Sequence, residues 1–102
     1  MIVVRTVLQG KFGTGGRLAA SLSEASKSMM VDMGTPRRWR ILTDLSGPFD
    51  TVVQEIEAES LAEWEIMRVR LFELAAFRES MTTMQELVGS GRNELWTVEA
   101  EG

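Results

Sequence analysis

The residues that most often carry out reactions are missing from this sequence: it contains no His, no Cys and no Tyr. The commonest general bases, thiolate nucleophiles and soft metal or haem ligands are therefore gone, no catalytic residue can be named and no metal site is expected. What remains is charge and indole. Arg5 stands between Val3 and Val7 in an alternating stretch, Glu55 and Glu57 are two apart in another, and Arg37-Arg38-Trp39-Arg40 forms a short basic cluster. Guanidinium forks suit carboxylates and phosphates, and two carboxylates at close spacing suit acid–base work, although nothing in the sequence points to a raised pKa for either glutamate. The run Gly10-Lys11-Phe12-Gly13-Thr14-Gly15-Gly16 follows a strand pattern and precedes a helix pattern, the setting of a phosphate loop. It completes neither G-x-x-x-x-G-K-[ST] nor G-x-G-x-x-G, so it reads as a flexible connection.

Those side chains need elements to position them, and the hydrophobic period supplies six in the order strand, helix, strand, strand, helix, strand. Ile2 to Leu8 is a strand with Ile2, Val4, Thr6 and Leu8 on one face and Val3, Arg5 and Val7 on the other. A helix runs from about Arg17 to Met33 with Leu18, Leu22, Ala25, Met29 and Met33 as its apolar stripe, and Gly34 and Pro36 stop it. Met29, Met30 and Met33 read as gap-fillers of a helix–sheet core. Strands over Arg38–Leu45 and Thr51–Glu59 flank the turn Ser46-Gly47-Pro48-Phe49-Asp50. Ser60-Leu61-Ala62-Glu63 is a capping box that opens a second helix. Its stripe is Leu61, Trp64, Met67, Leu71, Leu74 and Ala75, with Ile66, Val69, Phe72 and Phe77 adding apolar surface beyond one sheet contact. A second capping box, Thr82 to Gln85, predicts a short third helix ended by Gly89-Ser90-Gly91, and Glu94–Glu99 is the last strand.

This order predicts an α+β, ferredoxin-like βαββαβ domain covering 1–102, a four-stranded antiparallel sheet with two main helices on one face. The other face is left needing a partner, and a chain of 102 residues has little margin in its own core, so a homodimer is expected. A net charge of −4 argues against nucleic acid as a partner, which requires a basic footprint. No apolar run is long enough for a membrane span, and the N-terminal residues lack a signal-peptide pattern, so no membrane partner and a cytoplasmic location are expected.

The run SLAEWEIMRVRLFELAAFRESMTTMQELVGSGRNELWTVE, from Ser60 to Glu99, resembles the second half of the dimeric α/β-barrel proteins of the ferredoxin-like class, above all the small NIPSNAP-like members. They show a strand, Ser-Leu-x-Glu-Trp opening a helix, a short helix and a final strand of the form Glu-Leu-aromatic-x-Val-Glu, and Gly10-Lys11 after the first strand is also similar. The resemblance implies strand order 4-1-3-2 and two sheets packed face to face across a dimer, enclosing a lumen able to hold a small molecule. With helices over the Ile2/Val4 and Val52/Ile56 side, the lumen face carries Arg5, Glu55 and Glu57, with either the Arg38/Arg40 or the Trp39/Ile41 series of the second strand.

The candidate ligand-binding residues are thus Arg5, Arg40, Glu55, Glu57, Trp39 and Trp96, and the expected ligand is small and polar or anionic. The plainer account of the same charges is a set of ion pairs on a dimer-packed sheet face. Relatives of this fold include haem-dependent enzymes, set aside here for want of a haem ligand, and cofactor-independent monooxygenases, which have tryptophans and an asparagine as here in Trp39, Trp64, Trp96 and Asn93. No cofactor is expected. Trp64 is most simply core and Asn93 a turn residue; Trp39 and Trp96, on edge strands, anchor the dimer or line the pocket mouth. The expected function is binding or converting a small molecule, with cofactor-independent oxygenase-like chemistry as one form; the alternative is a non-catalytic dimeric interaction protein. A roomy lumen with convergent polar groups favours the first, and tightly packed charge pairs the second.

Overall fold

The computed structural model describes residues 1–34 and 37–102, so Pro36, expected to help stop the first helix, lies outside the described residues. Alternating, β-branched sequence forms β1 (Ile2–Gly10), β2 (Trp39–Thr43) and β3 (Thr51–Ala58), and β4 (Val88–Thr97) completes an antiparallel sheet of order β2-β3-β1-β4. Between the strands lie α1 (Gly15–Met33), α2 (Leu61–Glu73) and α3 (Ala75–Leu87). Gly34 ends α1 as predicted, with φ at 67° and its N–H donating to the Val31 carbonyl. Ser60 caps α2 by accepting the Glu63 N–H at 3.1 Å, and Glu63 reaches back to the Glu59 N–H at 3.3 Å.

The helices cover one sheet face. Met29, Met30 and Met33 of α1 meet Ile56 and Ala58 of β3 and Met67 and Leu71 of α2, and Leu18, Leu22, Val52 and Leu87 form a second cluster. The methionines do fill the space between helices and sheet. Ser26, fully buried among them, donates to the Leu22 carbonyl at 2.7 Å and accepts from Gln54 at 2.8 Å, so no polar atom there is stranded.

Three expectations need correction. The third helix is not a short one opening at Thr82. The chain breaks at Leu74, which is extended at φ −77° and ψ 136°, and α3 starts at Ala75, so Thr82 sits inside a helix and caps nothing. The break also removes Leu74 and Ala75 from α2, and Leu61 is exposed; its stripe is Met67 and Leu71 with Trp64 half-buried beside them. Third, β4 begins at Val88 and not at Glu94: Gly89, Ser90 and Gly91 are strand residues, and Asn93 lies opposite Thr6, whose hydroxyl donates to it at 2.9 Å. Gly91 answers a close approach, not a turn. A Cβ on Gly91 would come within 3.0 Å of the Leu8 side chain and 3.3 Å of the Val7 carbonyl.

Candidate functional site

Directly opposed residues of an antiparallel sheet share a face, so the strand register assigns every side chain of the face that the helices leave open. Glu57, Val3 and Trp96 form one row across β3, β1 and β4, with Arg38 beside Glu57. The next row runs Arg40, Glu55, Arg5, Glu94, alternating in sign across all four strands. After it come Leu42, Val53, Val7 and Arg92, then Thr51, Gln9 and Ser90. Five of the residues picked out from sequence, Arg5, Arg40, Glu55, Glu57 and Trp96, therefore share this face.

Trp39 does not join them. It lies opposite Ile56, on the helix-covered side, packed against the methionine cluster, and from the edge strand also lines a smaller hollow of about 280 Å³ with Val3, Arg38, Arg40, Glu55 and Glu57. Of the two series left open for β2, Arg38/Arg40 is the one on the open face.

The alternating row is tied together. Glu55, whose side chain is only 12% exposed, bridges Arg5 at 3.1 Å and Arg40 at 2.6 Å. Glu94 lies 3.7 Å from Arg5 and 2.8 Å from Arg92, and accepts from the Trp96 indole at 3.0 Å. Hydrogen bonds from Arg92 and then Trp96 hold the Glu94 carboxyl below its ordinary range, which makes it a poorer base. Arg38 pairs with Glu57 at 3.7 Å, and Arg37 turns away to Glu63 at 2.7 Å, so the basic cluster is dispersed over different partners.

Arg92 is missing from the candidates because a strand opening at Glu94 leaves it out; Glu94 lies on that strand, and only the pairing with β1 sets it against Arg5. Arg92-x-Glu94-x-Trp96 alternates as a strand does, and extending that period back through the glycines brings Arg92 to the face of Arg5 and Trp96.

Beyond the charged row the face is hollow. A concavity of about 610 Å³ lies over Val7, Val53, Leu42 and Gln9, with Arg5 and Arg92 on its wall and the β2–β3 loop at its rim. That volume is within the range of small-molecule sites. Asp44 stands at the β2 end, its carboxylate accepting the Thr51 N–H at 3.1 Å, so the hollow is negative towards β2 and positive towards β4.

The glycine run does not hold an external anion, because the chain fills that place itself. Asp50 accepts the N–H groups of Gly13 and Gly15, each at 2.9 Å, closing the start of α1 with its own carboxylate. The side chain is aimed there by a left-handed backbone at Asp50, φ 61°.

Neither the known family models nor the curated proteins give a sequence match. Solved structures do match over the whole chain. An uncharacterized NIPSNAP domain protein from Burkholderia xenovorans superposes with a TM-score of 0.83 at 14% identity, over 98% of this chain and 96% of that one. A NIPSNAP family protein from Agrobacterium tumefaciens gives 0.78 at 16% identity, over 94% and 90%. The fold is the ferredoxin-like one of these proteins, a four-stranded antiparallel sheet with helices on one face. A protein provisionally described as an antibiotic biosynthesis monooxygenase, from Nitrosomonas europaea, shares this fold with a TM-score of 0.75 at 11% identity, over 98% of this chain and all of its own. At these identities the likeness is one of fold.

Proposed function

We propose that two copies of the chain bring their open sheet faces together and that the hollow between them binds a small polar or anionic molecule. The observation that carries this reading is the hollow of about 610 Å³, where Arg5, Gln9, Thr51, Ser90 and Arg92 converge around Val7 and Val53. A partner face that filled this concavity with its own side chains would leave no site, and one that left it open would leave room for a small molecule. A face left open to water would in turn waste the apolar surface of Val53 and Leu42.

The proposal is for binding. The three carboxylates of the face are each paired with arginine, and donors on Arg92 and Trp96 hold Glu94 below its ordinary range, away from basicity. Conversion draws its support from the description of the Nitrosomonas europaea protein as an antibiotic biosynthesis monooxygenase. One specific feature favours a purely structural dimer: the row Arg40, Glu55, Arg5, Glu94 uses its charges internally.

Light scattering on the eluting protein and native mass spectrometry test both. A dimer that carries a small molecule, released when the protein is denatured, supports the site. A stable monomer refutes the enclosed lumen; an empty dimer that falls apart in Arg5→Met refutes the ligand and makes Arg5 an ion-pair partner.

A further inference from the structure

Resting on that reading of the hollow, we infer that its ligand is an acid with an apolar body, and that Arg92, not Arg5, takes the carboxylate. Arg5 is the obvious cation from sequence, yet it is the worse placed. It stands in register between Glu55 and Glu94, at 3.1 and 3.7 Å, so an anion approaching it meets a carboxylate on either side. Arg92 lies one row further on, at the end of the alternation, with its side chain 66% exposed. Its only carboxylate neighbour among the described residues is Glu94, which also serves Arg5 and the Trp96 indole. Among the described residues Arg92 makes one hydrogen bond, from its Nε to Glu94 at 2.8 Å, so its two terminal nitrogens are left to pair with an anion.

The register supplies the rest of the ligand. Leu42, Val53 and Val7 lie side by side on adjacent strands and lead straight to Arg92. At the usual strand separation this apolar lane is roughly 10 Å long from Leu42 to Val7, with the guanidinium one strand beyond. Asp44, at the opposite end of the hollow, repels an acid head placed the other way round. A carboxylate at the β4 end with its apolar body lying across β1 and β3 therefore meets charge with charge and hydrocarbon with hydrocarbon.

The test compares 4-phenylbutanoate, its primary amide and 4-phenylbutylamine, three probes with one apolar body and different heads, on the intact protein. Calorimetry measures affinity, and methyl NMR shifts at Val7, Val53 and Leu42 locate binding. The parent is expected to bind the acid about tenfold or more tighter than the amide, as a charge-assisted pair requires, and the ammonium least. Arg92→Met is expected to bring acid and amide level, Arg92→Lys to restore part of the gap, and Arg38→Met, which removes the same charge outside the hollow, to leave it. Equal binding of acid and amide by the parent, or a preference untouched by Arg92→Met, overturns the inference while binding at those methyls keeps the ligand site. If none of the probes moves those methyls and the purified protein carries no small molecule, the site itself fails and the inference with it.

Discussion

Arginine and glutamate side chains on this sheet are ordered by register more than by sequence neighbourhood. Arg5 finds Glu55 fifty residues away and Glu94 almost ninety away because both oppose it in the ladder. Glu94 shows what the network does to one group. Donors on Arg92 and Trp96 favour its charged form, so its folded pKa is below the unfolded one. Such a group adds stability that is complete above the unfolded pKa and disappears as pH falls through the folded one. The denaturation midpoint of Glu94→Gln is therefore expected to lie below that of the parent at pH 7, and the gap to close as pH falls below about 4. A gap of the same size at pH 3 would show that Glu94 acts through packing alone.

At the scale of elements, two similar capping signatures behave differently because only one sits at a helix end. Ser60→Ala removes the acceptor for the Glu63 N–H and is expected to cost about 1 kcal/mol in a urea titration. Thr82→Ala lies within α3, where alanine is the better helix former, and is expected to be neutral or stabilising by a few tenths of a kcal/mol. A loss at Thr82 as large as at Ser60 would place a helix start there after all. Trp64 packs against the methionine cluster from a half-buried position. Trp64→Ala is accordingly expected to cost about 2–3 kcal/mol, short of the roughly 3–5 of a fully enclosed aromatic, with equilibrium unfolding as the measure.

For the whole molecule, the decisive surface is the one without helices. Val53 is central to it, between Val7 and Leu42, and Val53→Asp would place an unpaired carboxylate in the middle of any face-to-face contact. Light scattering is expected to give the dimer mass for the parent and the monomer mass for Val53→Asp, with far-UV circular dichroism unchanged because the helix-covered core is on the other side. A parent of monomer mass across dilution, or a Val53→Asp protein that stays dimeric, would mean that this face is not the contact. The outer side of α2 presents Ile66, Val69 and Phe72, with Arg68 5.6 Å over the Phe72 ring, and is a second place where apolar surface stays exposed.

Period and punctuation in the sequence determined the order of elements, the strand order through its resemblance, the methionine core, the Ser60 cap and the placing of Arg5 against Glu55, because each depends on local alternation or on pairings that one sheet topology dictates. Local signals also misled where they had two meanings. Thr82-x-x-Gln85 is a capping box only if the helix starts there, and the extended backbone of Leu74 had already started it. Gly89 and Gly91 are turn residues unless a neighbouring strand crowds them, as Leu8 and Val7 crowd Gly91. Only tertiary structure could decide which side of β2 faces the helices, sending Trp39 inward and Arg40 outward, since that side is set by pairing with Ile56 and Glu55 and both faces of the strand carry buriable side chains. The same register brought Arg92 beside an apolar lane made from three other strands, a juxtaposition that exists only once the strands are paired.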